Sequence, residues 1–196
     1  MHYVNQLNYK HIPYHTFTKM PEKSEADRIR SVSMSGCGLC CVCMTVDLLT
    51  PMTLMIEDCV KISEECEANH GVGTDMTILG PVIANKYNVD FSMTNDLDEL
   101  IRHLQCGGVA IALVGVPEGK EVGLFTKRTH FISLISTDGE DVCILDPSYF
   151  VGKFDIPERV GMLDASHAPY LYCPKATLDA ETIPGRTKYY LFKRKR

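Results

Sequence analysis

From residue 38 onward, apolar side chains recur at Leu39, Val42, Cys43, Val46 and Leu49, the i, i+3, i+4, i+7 spacing of one buried helical stripe, and Pro51 closes the run. Cys37 therefore falls at the N-terminus of that helix. Thr50-Pro51 reads as a cap followed by a first-turn proline, predicting a second helix that buries Met52, Met55, Ile56, Cys59, Ile62 and Cys66 and stops near Gly71. Its opposite face, Glu57, Asp58, Lys61, Glu64 and Glu65, is polar. Thr74 is placed to cap a third helix reaching Tyr87, with Pro81 either kinking it or marking its first turn. After a short strand from Val89 to Met93, Asn95 is placed to cap a fourth helix with apolar Leu97, Leu100, Ile101 and Leu104, ended by Gly107-Gly108.

Beyond Gly108 the period changes to two. Strands are predicted at Val109 to Val114, Thr129 to Ser136 and Val142 to Leu145, the last two joined by the Asp-Gly turn of "TDGED". From Phe150 to Pro184 four prolines interrupt short apolar pieces without a clear period, and Tyr189 to Phe192 reads as a closing strand. Helices first and an antiparallel sheet afterwards predict an α+β fold, and the length of 196 residues suits a single domain spanning residues 1–196.

Composition narrows the function classes. Hydrophobic residues make up 45 % of the chain, charged residues 23 %, and the net charge is -5, so phosphate-backbone binding has no basic face to rest on and no nucleic-acid partner is expected. The one basic run, Lys193 to Arg196, reads as a solvated tail. No segment reaches the roughly 18 apolar residues of a membrane span, and the start "MHYVNQLNYKHIP" lacks a signal-type apolar stretch. Nine cysteines without regular spacing suit reduced thiols, so a cytoplasmic protein is expected.

Four of those cysteines, Cys37, Cys40, Cys41 and Cys43, crowd into "SGCGLCCVCM". Zinc is disfavoured, because thiols on one helix fan out by about 100° per residue and no second Cys/His pair at short spacing follows. Cys37-Gly-Leu-Cys40 is a C-x-x-C at a helix start, yet a charged, turn-rich segment stands where a thioredoxin-like strand should lead in. A third reading makes Cys40 and Cys43 small core residues and Cys37 a nucleophile. Ser35-Gly36 and Gly38 clear side chains from a helix terminus whose amides and dipole favour a thiolate.

A thiolate nucleophile needs an imidazole and a group to orient it. Of seven histidines, His103, His70, His2 and His11 read as surface, turn or mobile-end residues, whereas His130 opens the alternating strand "THFISLIS". Across the Asp-Gly hairpin, Asp146 ends the next strand in "CILDP" and returns a carboxylate toward the same sheet end. Asp146 can also be read simply as a turn-forming Asp-Pro.

"SGCGLCCVCM", "THFISLI" and "CILDP" together resemble the Cys, His and Asp segments of papain-like cysteine peptidases of the bacteriocin-leader-processing (double-glycine) type, and more closely their stand-alone relatives. "GVGTDMTILGPVIANKYNV" is similar to the family's Gly-Thr-led helix. The resemblance implies a papain-like architecture and a thiol hydrolase or acyltransferase acting on a peptide or amide bond of a peptide or protein substrate. Its implied site is Cys37 as nucleophile, His130 as general base and acid, and Asp146 as orienting group, with no metal and no organic cofactor. The family also carries an upstream glutamine that donates to the oxyanion, and between Asn8 and Cys37 this chain has no Asn or Gln. His15, Thr16, Ser33, Ser35 or the distant Gln6 would have to substitute. Two other classes stay open at this point: a catalytically inactive peptide- or partner-binding relative, and a thiol-redox or metal protein using Cys37 to Cys43. Substrate, oligomeric state and the purpose of residues 151–188 are not legible.

Overall fold

The computed structural model of the chain describes residues 2–195. Its element order is a 3-10 turn at Gln6–Asn8, short helices α1 (Glu25–Arg28) and α2 (Val32–Ser35), then α3 (Cys37–Leu49), α4 (Ile56–Glu65) and α5 (Met76–Tyr87). Strand β1 (Val89–Thr94) and helix α6 (Leu97–Gln105) lead into β2 (Val109–Val114), β3 (His130–Thr137) and β4 (Asp141–Leu145). The chain closes with β5 (Asp164–His167), β6 (Tyr170–Pro174), α7 (Lys175–Ala180) and β7 (Tyr189–Arg194). The strands form one antiparallel sheet ordered β1-β7-β2-β3-β4-β6-β5, which makes the fold α+β.

Alternation along β2 builds both layers of the core. Val109, Ile111 and Leu113 pack with α3, α4 and α5 on one sheet face, while Ala110, Ala112 and Val114 pack with Leu100, Ile101 and Leu104 of α6 on the other. Helix α3 lies against β2 and β3 and is buried around most of its circumference, Cys40, Cys41 and Cys43 included. The α3 stripe seen in the sequence is thus part of a wider apolar surface.

Several boundaries differ from the sequence expectations. Helix α4 starts at Ile56, because Thr50 ends the preceding helix instead of capping the next: its Oγ1 donates to the Val46 carbonyl at 2.8 Å and accepts from Met52 N at 3.0 Å. Met52 and Met55 are exposed in the linker. Asp75, not Thr74, caps α5, and Asp96, not Asn95, caps α6, accepting from Asp98 N and Glu99 N. Asn95 Oδ1 instead accepts from Lys188 N. Helix α5 continues across Pro81, which lies in its interior and not in its first turn.

The segment without a clear period holds β5, β6 and α7. His103 is no free surface residue, since its Nε2 sits 3.1 Å from the Val109 carbonyl and 2.9 Å from that of Phe192. The basic run is not a free tail either: β7 extends to Arg194, which donates to the Leu48 carbonyl, and Arg196 lies outside the described residues. The expected mobile N-terminus is strapped down, His2 N donating to Asp47 Oδ2 at 2.8 Å.

Candidate active site

The antiparallel β3–β4 hairpin and the start of α3 bring the three singled-out residues together. At the hairpin tip Asp138 Oδ1 accepts from Glu140 N and Asp141 N while Gly139 takes φ +107°, the turn that the Asp-Gly pair encodes. His130 opens β3, and Asp146 directly follows β4. His130 Nε2–H donates to Asp146 Oδ1 at 2.8 Å. That leaves Nδ1 as the nitrogen available to the Cys37 thiol, which sits near enough to the imidazole for each to shift the ionisation of the other.

The glycines of Ser-Gly-Cys-Gly have separate steric reasons. A Cβ on Gly36 would lie 2.6 Å from Val32 Cγ1, and one on Gly38 would lie 2.9 Å from Thr74 Cβ and 3.2 Å from the Phe131 ring. Only glycine lets α2 turn directly into α3 and lets α3 sit this close to the His130 strand. The start of α3 carries no side-chain cap, so its first-turn N–H groups are not claimed by a capping side chain.

Electrostatics pull the pair toward opposite charges. Burial pushes the Cys37 thiol up, but the His130 hydrogen bond and charge, aided by the Phe131 and Gly38 amides, outweigh it and bring the thiol below its ordinary value. Burial likewise lowers His130, yet the charge and hydrogen bond of Asp146, with Cys37, raise it to about 9. Each partner thus favours the charged form of the other. By contrast, burial drives the Cys40 and Cys41 thiols well above the ordinary value, so these two are core residues in chemistry as well as in position.

Asp146 is fully buried and every contact holds its charge in place. Oδ1 also accepts from Ser148 N at 2.8 Å and Ser148 Oγ at 3.0 Å, so the Asp-Pro turn role and the imidazole contact coexist in one side chain. Oδ2 accepts from the buried ammonium of Lys153, which also donates to Ser148 Oγ at 2.7 Å. Burial would raise the carboxyl, but His130 and Lys153 hold it below the usual carboxylate range. Sequence reasoning missed Lys153 and Ser148; the one available signal was that both follow Asp146 within a turn's reach.

The N-terminal segment clamps this turn. Tyr3 Oη donates to the Asp146 carbonyl, Asn5 Nδ2 to that of Tyr149 at 2.8 Å, and Gln6 N to that of Pro147 at 2.7 Å. Buried Gln6 also reaches α2, its Nε2 donating to the Ser33 carbonyl at 2.9 Å while its Oε1 has no partner. The distant glutamine is therefore returned to the segment that leads into Cys37. Of the other substitutes, His15 is exposed beside the Arg28 carbonyl, and Thr16 is buried outside the cleft lining. Ser33 uses its carbonyl on Gln6, and Ser35 carries a buried, unpartnered hydroxyl in the cleft wall.

Cys37, half-buried, and His130 line a cleft of about 600 Å³. One wall is formed by Met34, Ser35 and residues 70–77, the other by Leu113, residues 128–131 and Tyr190. No helix among the described residues is long and apolar enough to cross a membrane.

No known family profile matches the sequence, and no curated protein does. In three dimensions the chain is similar to a solved structure from Bacillus anthracis described as a candidate C39-like peptidase, with a TM-score of 0.55 at 15 % identity, covering 100 % of this chain and 99 % of that one. The fold is the papain-like one of C39-like peptidases.

Proposed function

We propose that the protein is a cysteine peptidase or amidase in which Cys37 attacks a peptide or amide carbonyl. The observation that carries this is that Cys37 and His130 line one cleft, large enough for an extended peptide, with the His130 ring hydrogen-bonded to Asp146. The thiolate adds to the carbonyl carbon, the imidazolium gives its proton to the leaving amine, and a thioester on Cys37 results. His130, now neutral, takes a proton from water, whose attack on the thioester frees the acid, releases Cys37 as thiolate and restores the starting thiolate–imidazolium pair. Asp146 fixes the ring with Nε2 turned away from the thiol, and Ser148 and Lys153 fix Asp146.

Oxyanion charge falls at the first turn of α3, where backbone N–H groups and the helix dipole are aligned with it. For the side-chain donor two candidates stand: Gln6, which the family resemblance favours and whose Nε2 keeps a second N–H after the Ser33 contact but which lies outside the cleft lining, and Ser35, whose unpartnered hydroxyl is in that lining. The reading extends to a single 1–196 domain in the cytoplasm, where nine free cysteines stay reduced.

The test is a proteome-derived peptide library incubated with the protein, new N-termini being counted by mass spectrometry. Cleavage that disappears in Cys37→Ala and in His130→Ala supports the proposal. An intact library, with peptides nevertheless retained by the protein, would make it an inactive binder.

A further inference from the structure

The chain carries a net charge of -5, yet its cleft carries the opposite sign. Arg30 on the α2 side, and Arg128 and Arg186 on the sheet side, all line it, against a single lining carboxylate, Asp75. Asp75 is already engaged: its Oδ1 accepts from Thr77 N and Oγ1, and its Oδ2 lies 3.5 Å from His70 Nε2. None of the three arginines makes a salt bridge among the described residues.

Arg30 is built into position. Its guanidinium sits 5.6 Å over the Phe17 ring, and its Nε is a buried donor with no acceptor. Phe17 holds φ +59° and donates its N–H to the Gly71 carbonyl at 2.8 Å, locking the ring against the loop that forms the same wall. Lys23 Nζ lies over the same ring at 5.2 Å, a second cation on that aromatic face. The nearest acid along the chain, Asp27, is turned into its own capping box with Ser24. A planar guanidinium held on an aromatic face in the cleft lining, with no salt-bridge partner, is arranged to take a carboxylate through its terminal N–H groups.

We propose that the cleft selects acidic peptides, whose Asp or Glu carboxylates on either side of the Cys37 position are received by Arg30, Arg128 and Arg186. This rests on reading the cleft as a peptide site, and it adds the substrate class. Acidic side chains enter a field made by the cleft itself, while the acidic exterior of the protein repels them elsewhere.

The test uses Cys37→Ala, which binds without turnover, and three rhodamine-labelled dodecapeptides identical except that every third residue is Glu, Gln or Lys. Anisotropy titrations at about 50 mM and about 300 mM salt separate charge from shape. The Glu peptide binds at least about tenfold tighter than the Gln peptide at low salt, and the gap narrows at high salt. Arg30→Gln, Arg128→Gln and Arg186→Gln each weaken the Glu peptide about two- to fivefold and leave the Gln peptide unchanged, which also reports an intact fold. Replacing all three by Glu moves the preference to the Lys peptide. Equal binding of the three peptides, or a triple variant that binds the Glu peptide as before, overturns the proposal. Wild-type turnover separates the two readings: cutting of all three peptides alike sinks acidic selection and leaves the peptidase, whereas arginine-dependent binding without cutting leaves acidic selection and sinks the peptidase.

Discussion

Replacing His130 by Ala isolates what the imidazole does for the Cys37 sulfur. An isolated thiol with a pKa of about 8.5 is only about 3 % ionised at pH 7, so pairing that ionises it fully raises the thiolate population about 30-fold. In this site the gain is larger, because Cys37 without His130 keeps the burial that pushes its thiol up and loses the hydrogen bond and charge that bring it down. Each further unit of upward shift removes another factor of about ten in thiolate, while the higher intrinsic nucleophilicity of a more basic thiolate returns about half of it on a logarithmic scale. The net expectation for His130→Ala is a fall of about 10- to 100-fold in the iodoacetamide alkylation rate of Cys37 at pH 7. The assay is stopped-time labelling followed by peptide mass spectrometry, with exposed Cys106 as internal reference because it lies outside the cleft. A Cys37 rate within about threefold of wild type, relative to Cys106, would refute the pairing argument.

Further outcomes follow from the same contacts. Lys153→Met removes the ammonium from Asp146 Oδ2 but leaves the three contacts on Oδ1, so stability falls by about 1–3 kcal/mol in urea unfolding; a change under about 0.5 kcal/mol would show that the buried lysine is not holding the carboxylate. Gly38→Ala drives a Cβ to 2.9 Å from Thr74 and 3.2 Å from Phe131, costing about 1–3 kcal/mol and slowing Cys37 labelling, whereas an unchanged unfolding midpoint contradicts the close approach. Gln6→Ala lowers peptide turnover about 10²-fold if Gln6 is the oxyanion donor, and a larger loss in Ser35→Ala would transfer that role to the cleft hydroxyl. His130 is raised above its ordinary 6.5 first by Asp146, so its own contribution to stability is complete below about pH 6.5 and is lost as pH rises, whereas the lowered Cys37 thiol contributes with the opposite sign over the same range. Urea midpoints should therefore fall with rising pH above about 6.5 in Cys37→Ala, where no thiolate offsets the ring proton, and less in wild type; equal slopes in the two would contradict the pairing.

The helices and sheet were legible wherever one local signal stood unopposed. Leu39, Val42 and Val46 mark α3 by period alone, and Asp138-Gly139 marks the hairpin by turn chemistry, which together suffice to bring residues 37, 130 and 146 near one another. Signals that compete were misread. Thr50 has the chemistry of an N-cap, but its hydroxyl bonds back to Val46, and Met52 and Met55 have helix-like spacing without a surface to bury against. Strand β6 does alternate, with Leu171 and Cys173 inward and Tyr170 and Tyr172 outward, yet the prolines around it hid the period. Contacts across long sequence separations left no trace in the chain. Gln6 reaches Pro147 and Ser33, and Arg30 shares a cleft with Arg186, and only the fold states those facts.

The proposed chemistry turns on the charge state of one ring. Titration of the His130 imidazole by NMR, using the His130→Gln spectrum for assignment, should place its midpoint near 9 and move it down when Cys37 is replaced by Ala. A midpoint at the ordinary value of about 6.5, unchanged in Cys37→Ala, would contradict the thiolate–imidazolium pair on which the proposed chemistry depends.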